Sequence, residues 1–135
     1  MRRNLLAISV LAGLAAGLAA GPARAEFHWR MLDQRDLNVG SEARQVIGIG
    51  SGRRFLALRL CVRRQPILIH QVDVRFREGG TRTYQFGWTL QNQRCTGDIV
   101  LSRGSGVARE LAEVTVRYNP AGLSRRGARL QLHAR

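Results

Sequence analysis

The side chains that commonly do chemistry are few in this chain and form no familiar catalytic pattern. His28, His70 and His133 have no partner at the i, i+2 or i, i+4 spacing that is typical of a metal site. Ser51 and Ser105 each lie between glycines, but neither fits the G-x-S-x-G pattern of a nucleophilic serine. We therefore predict no catalytic residue, no metal site and no cofactor. An enzyme with an unrecognised site is the alternative.

The two cysteines, Cys61 and Cys95, are candidates for a disulfide. In an oxidising compartment an even number of cysteines favours a bridge. The alternative is two unrelated buried thiols, because the sequence does not show whether the two Cα atoms come within bonding range. We predict a bridge that stabilises the fold and has no redox role, since the pair lacks C-x-x-C spacing.

Positive charge dominates the composition. All 22 basic residues are arginine, and the formal net charge is +13. The absence of lysine excludes a Walker A lysine and a Schiff-base lysine. Complete use of arginine in place of lysine is also what a GC-rich genome would produce. The arginine excess is therefore either compositional or a sign of anion binding.

Four arginines occupy predicted outward positions next to rows of apolar residues. They are Arg75, Arg77, Arg117 and Arg129. If their strands are neighbours, one sheet face is basic and could bind lipopolysaccharide phosphates, nucleic acid or another polyanion through bidentate guanidinium contacts. The alternative is a solvated face that binds nothing.

The elements that must position these side chains are strands, because apolar residues alternate with a period of two nearly everywhere. About eight short strands at regular spacing predict an all-β fold, a single antiparallel β-sandwich. A slip in apolar parity predicts a bulge near His70 and Gln71, and residues 78–80 predict a hairpin turn. Tyr118 and an inward row on one later strand are predicted core residues; the row is Tyr84, Phe86, Trp88 and Leu90.

The first 25 residues have the layout of a secretory signal peptide: a basic start, an apolar run and a final A-x-A pattern. We predict cleavage after Ala25, which leaves residues 26–135 as one domain with a charge of (22 − 3) − 9 = +10. An uncleaved membrane anchor and a twin-arginine signal are the alternatives. No later segment is long and apolar enough to span a bilayer. The predicted location is periplasmic or secreted.

Several segments together support a resemblance that covers most of residues 29–134. They are residues 54–60, residues 66–76 with Gly79 after them, residues 96–101, and the run Arg109, Leu111, Val114, Val116 and Tyr118. In this order they resemble a family of small exported bacterial proteins of unknown function that includes YaaI. The cysteines are not part of the pattern. The resemblance implies export and a compact β domain, and it assigns no catalytic residue.

These observations predict an exported, non-enzymatic β-sandwich that acts as a binding or structural module at the cell envelope. Its envelope partner is unknown from sequence. The alternative function is a polyanion-binding module that uses outward-facing arginines.

Overall fold

The computed structural model describes residues 28–102 and 106–135, which form nine strands in two antiparallel sheets. The predicted signal peptide, the start of the predicted domain and Ser105 lie outside these residues. The strands are β1 (Arg30–Leu37), β2 (Arg44–Gly48), β3 (Arg54–Phe55), β4 (Ala57–Arg63), β5 (Ile67–Phe76), β6 (Thr81–Leu90), β7 (Ile99–Val100), β8 (Arg109–Asn119) and β9 (Ala128–Ala134). A short 3-10 turn, Pro120–Gly122, follows β8.

The two sheets pack as a sandwich, which confirms the predicted fold class. The four-stranded sheet has the order β1-β9-β4-β7. The five-stranded sheet has the order β2-β8-β5-β6, and β3 also pairs with β8. Most neighbours within each sheet are therefore far apart in the chain. No helix in the described residues is long and apolar enough to cross a membrane.

The core lies between the sheets and is built by the alternation seen in the sequence. One side of β9 is buried through Ala128, Leu130, Leu132 and Ala134, as predicted from its period of two. The corresponding residues of β4 lie beside it in the same sheet, and those of β5 and β8 face it from the other sheet, where Tyr118 is only 1% exposed. Since apolar burial is the largest favourable term in folding, this interdigitated layer holds the two sheets together.

Two predicted interruptions are present. The register of β5 shifts between Ile69 and Gln71 against both of its neighbours, which confirms the predicted bulge. Between β5 and β6, Gly79 and Gly80 both have positive φ angles, as the predicted hairpin turn requires. The bulge restores the apolar parity, so that Ile69 and Val72 are both buried.

The predicted inward row of β6 is only partly correct. Leu90 is buried, and Tyr84 and Phe86 pack against the core while remaining half-exposed. Trp88, however, is 44% exposed, so its prediction as a core residue was wrong. The reason is that β6 is the edge strand of its sheet, so no neighbouring strand covers its outer side. Trp88 instead contacts Phe86, with 5.6 Å between the ring centroids.

Candidate anion-binding face

The outer face of the five-stranded sheet carries two of the four arginines predicted to bind anions. On this face Arg117 lies opposite Gln71, and Arg75 lies opposite Glu113. Arg75 forms an ion pair with Glu113 at 3.3 Å, and Arg117 Nε lies 3.5 Å from Asp73 Oδ2. Both guanidinium groups are thus partly neutralised within their own sheet.

Asp73 is the centre of a polar network on the same face. It accepts hydrogen bonds from Thr83 Oγ1 at 2.6 Å and from Gln71 Nε2 at 3.0 Å, in addition to the Arg117 contact. Burial alone would raise the pKa of Asp73, but these hydrogen bonds outweigh that effect and lower the pKa. The carboxylate is therefore held in its charged form beside Arg117.

Arg77, the third arginine predicted to bind anions, directly follows β5. Its guanidinium group is bonded within the fold. Its Nη2 donates to the carbonyl of Ile49 at 2.8 Å, and its Nε lies 3.2 Å from Glu110 Oε1. These contacts tie the end of β5 to the segment after β2. Arg129, the fourth, lies on the other sheet, so the structure does not bring the four predicted arginines together.

The outer face of the four-stranded sheet holds a different cluster, which we call the arginine face and define as Arg59, Arg63, Arg129 and Arg135. Strand β9 lies beside β4 in this sheet, so the outward residues of both strands meet. Arg63 lies opposite Arg129, and Arg59 lies opposite His133. Two stretches of alternating sequence, about seventy residues apart, therefore build one surface.

Acidic partners are unevenly distributed over the arginine face. Asp36 on β1 accepts a hydrogen bond from Arg129 Nε at 2.9 Å and lies 3.6 Å from Arg64 Nη1. The hydrogen bond from Arg129 is the main reason that the pKa of Asp36 is lowered. Arg63, by contrast, has no acidic partner within the described part of the chain, and its Nη1 lies 3.5 Å from the carbonyl of Val62.

Arg59 is held in place by Trp29 rather than by an acid. Its guanidinium carbon lies 4.3 Å from the Trp29 ring centroid, and that of Arg135 lies 5.3 Å from the same ring. Arg59 has no carboxylate partner among residues 28–102 and 106–135, and its Nε is buried without a hydrogen bond there. Arg135 differs, because its Nη2 donates to Asp98 at 3.0 Å. Stacking thus orders the Arg59 side chain without neutralising its charge.

His133 lies on this face and has a lowered pKa. Burial lowers its pKa, and the charges of Arg59 and Arg63 lower it further. Its Nε2 lies 3.4 Å from the side-chain oxygen of Gln131. Burial is the larger of these two effects, and the two arginine charges act in the same direction.

The predicted disulfide is present on the same face. Cys61 and Cys95 are bonded, with 4.0 Å between their Cα atoms. Cys61 points outward from β4 opposite Gln131, and Cys95 belongs to a segment that runs along the free edge of β4. The main-chain nitrogen of Val62 donates to the carbonyl of Arg94 at 3.0 Å, and that of Thr96 to Leu60 at 2.7 Å. The bridge therefore fixes the strand that carries Arg59 and Arg63.

The histidine and acidic side chains of the described residues do not gather into a second candidate site. In residues 28–102 and 106–135, no three histidine, cysteine or acidic side chains lie close enough together to hold a metal ion. The Glu110 carboxylate accepts a hydrogen bond from the main-chain nitrogen of Gly52 at 2.7 Å and forms an ion pair with Arg77. His70 is exposed on β5.

Sequence reasoning missed Arg59 and Arg63 as members of a common site. Their alternation with Leu58, Leu60 and Val62 marks them as outward residues. What the sequence lacks is the pairing of β4 with β9, which places them beside Arg129 and His133. The alternation shows that each residue points outward, but only the order of the strands shows that these residues share one site.

Comparison with known proteins identifies the family. A family model described as a domain of unknown function, DUF2541, matches residues 5–134. The chain belongs to the DUF2541 family. The DUF2541 match includes Arg59, Arg63 and Arg129, but its description assigns them no role. No curated protein and no solved structure matches the chain.

Proposed function

We propose that this DUF2541 chain is a binding protein of the cell envelope whose arginine face binds an anionic polymer. The observation that carries the proposal is the pair Arg59 and Arg63, two outward cations of β4 without acidic partners in the described structure, which lie opposite His133 and Arg129 of β9. The other sheet presents Arg75 and Arg117 already paired with acids, and its outer face keeps one exposed cation, Arg44, without an acidic partner in the described structure. Unneutralised charge makes the arginine face the more favourable surface for a polyanion.

The geometry suits an extended ligand. Arg59 and Arg63 are four residues apart on one strand, which separates them by about 13 Å. Anionic groups repeated along a polymer can therefore contact both, and each guanidinium offers a planar fork for phosphate, sulfate or carboxylate oxygens. Binding would also relieve the repulsion between Arg63 and Arg129, which lie directly opposite each other.

Export is part of the proposal. It is supported by the basic start, apolar run and A-x-A pattern of residues 1–25. Mass spectrometry of the protein recovered from a periplasmic extract should show a chain that starts at Glu26. Recovery of intact Met1 in the membrane fraction would instead make the protein a tethered domain. We also propose that the DUF2541 family and the family of exported proteins that includes YaaI are the same family.

We also propose that the arginine face binds its ligand without catalysing a reaction on it. His133, which lies on the arginine face, contacts the amide side chain of Gln131. The face is an open sheet surface lined by guanidinium groups. A face of this kind stabilises anions without supplying a general base or a nucleophile.

The test compares two double variants that remove the same charge from opposite sheets. Arg59→Gln with Arg63→Gln alters the arginine face, while Arg75→Gln with Arg117→Gln alters the five-stranded sheet. Binding to heparin, lipopolysaccharide and single-stranded DNA is measured from about 20 mM salt, where the Debye length exceeds 20 Å, upwards. We expect the first variant to bind more weakly and with a shallower salt dependence, and the second to resemble the wild type.

Two outcomes would contradict the proposal. Equal losses in the two variants would show that only net charge matters. Absence of binding by the wild type at about 20 mM salt would show that the arginine excess is compositional.

A further inference from the structure

A second basic site lies at one end of the sandwich, next to the arginine face, with which it shares Arg135. This end cleft has a volume of about 290 Å³ and forms where the start of β1, strand β3 and the end of β9 meet. Its lining consists of His28, Arg30, Arg53, Arg54, Phe55, Ala134 and Arg135. Four arginines from three separate parts of the chain therefore border one small concavity.

Charge in the end cleft is poorly compensated. Arg30, Arg53 and Arg54 have no acidic partner in the part of the chain that the structure describes. Glu110 lies opposite Arg54 in the β3–β8 ladder, but its carboxylate is directed to Gly52 and Arg77. One carboxylate does reach a lining residue, since Asp98 accepts from Arg135 at 3.0 Å.

The backbone brings the segments that carry these cations together at one end of the sandwich. The main-chain nitrogens of Leu56 and Ala57 both donate to the carbonyl of Arg135, at 2.6 and 3.2 Å, which joins the residues after β3 to the end of β9. The Arg53 guanidinium carbon lies 5.6 Å from the centroid of the Phe55 ring, and Phe55 is itself buried. Arg30, Arg53 and Arg54 are exposed at this end of the sandwich, and an anion bound between the lining arginines would lower their mutual repulsion.

We propose that the end cleft binds the phosphomonoester group of a small organic molecule. A phosphomonoester carries close to two negative charges at neutral pH and three acceptor oxygens, which matches several guanidinium donors better than a singly charged group does. The volume approaches the lower limit of small-molecule pockets, so it leaves room for more than the phosphate group itself. This site does not depend on polymer binding by the arginine face.

The experiment uses two ligands of the same shape and different charge. Phenyl phosphate and phenyl sulfate are titrated into the full chain by calorimetry at pH 8, where the phosphate ester is dianionic. We expect phenyl phosphate to bind at least about tenfold more tightly than phenyl sulfate, because its second negative charge strengthens every hydrogen bond that the guanidinium groups donate to it. Inorganic phosphate is the third ligand, and it should bind more weakly than phenyl phosphate because it lacks the organic group.

Matched variants locate the binding. Arg30→Gln and Arg54→Gln should each reduce phenyl phosphate affinity about tenfold. Arg44→Gln, which removes an exposed arginine from β2 on the five-stranded sheet, should leave the affinity unchanged. Heparin binding measured on Arg54→Gln should be retained, so that loss of this site and loss of the arginine face are distinguishable.

Three results would overturn the inference. Equal affinity for phenyl phosphate and phenyl sulfate would show a general anion surface. Inorganic phosphate that binds as tightly as phenyl phosphate would show a site for the free anion. Unchanged affinity in both Arg30→Gln and Arg54→Gln would place any binding elsewhere on the protein.

Discussion

Arg63 and Arg129 lie directly opposite each other on the antiparallel strands β4 and β9. Like charges in this position destabilise a strand pair unless something compensates them. Asp36, opposite Arg129 on the next strand, compensates one of the two through a 2.9 Å hydrogen bond. Arg63 is left with its full charge on the surface, beside the residues that we propose bind an anionic polymer.

Removing the Asp36 carboxylate should therefore strengthen polyanion binding. In Asp36→Asn, Arg129 and Arg64 both lose their ion-pair partner and join Arg63, so that three neighbouring cations are available. We expect the variant to elute from a heparin column at higher salt than the wild type. Glu42→Gln changes the net charge equally at an exposed position, and an equal shift in that control would contradict a local effect.

His133 should make stability depend on pH in the mildly acidic range. Since its pKa is lowered in the folded protein, the unfolded chain binds a proton at higher pH than the folded chain does. The free energy of unfolding should therefore fall as the pH drops below about 6.5. The lowered pKa values of Asp36 and Asp73 act in the same direction, but only below about pH 5.

Urea unfolding at several pH values checks this expectation. His133→Gln should flatten the dependence between about pH 6.5 and pH 5, whereas His70→Gln, at an exposed position on β5, should not. An anion bound beside Arg59 and Arg63 should also raise the pKa of His133, because it neutralises the charges that lower it. A His133 titration by NMR that is identical with and without heparin would be evidence against binding at this face.

The disulfide should contribute substantially to stability. Cys61 and Cys95 are 34 residues apart, and closing a loop of that length stabilises the folded state by about 3–4 kcal/mol in the chain-entropy model. We expect a loss of that size in Cys61→Ala with Cys95→Ala, measured by urea unfolding. Chemical reduction of the wild type should give a comparable loss without replacing either cysteine. An unchanged unfolding midpoint after complete reduction would refute this contribution.

Gly127 is a position where no side chain fits. Its φ is +68°, and a Cβ built on it would lie 1.8 Å from the carbonyl oxygen of Leu37, within the main chain of β1. Gly52 also has a positive φ, but a Cβ there meets nothing within 4 Å. Gly52→Ala should cost about 1–2 kcal/mol from backbone strain alone, and Gly127→Ala a further 1–3 kcal/mol or so from overlap. Equal thermal stability of the two variants would show that β1 moves aside without cost.

Local pattern was sufficient to predict the buried rows and the bulge. Leu130, Leu132 and Val72 alternate with polar residues, and the period of two fixes which side of each strand is apolar. Trp88 follows the same pattern and is nevertheless exposed, because alternation does not show that its strand lies at the edge of a sheet. Burial thus depends on neighbours that may be distant in the chain.

The candidate site could not be assembled from sequence for the same reason. Arg75 and Arg129 have equivalent outward positions in their strands, yet they lie on opposite faces of the sandwich. Arg59 gains its environment from Trp29 and His133, which belong to segments at either end of the described chain. Which arginines keep an uncompensated charge is decided by where Asp36, Asp73 and Glu113 fall across the sheets, and that requires strand order.

The most direct test of polyanion binding by the arginine face is a residue-resolved map of the contact. The isotope-labelled protein is titrated with a heparin oligosaccharide, and amide and side-chain chemical shifts are followed by NMR. We predict that the largest changes occur on β4 and β9, at Arg59, Arg63, Arg129 and His133, while Gln71, Asp73 and Thr115 on the other sheet change little. Largest changes on the five-stranded sheet, or changes spread evenly over both faces, would contradict binding at the arginine face.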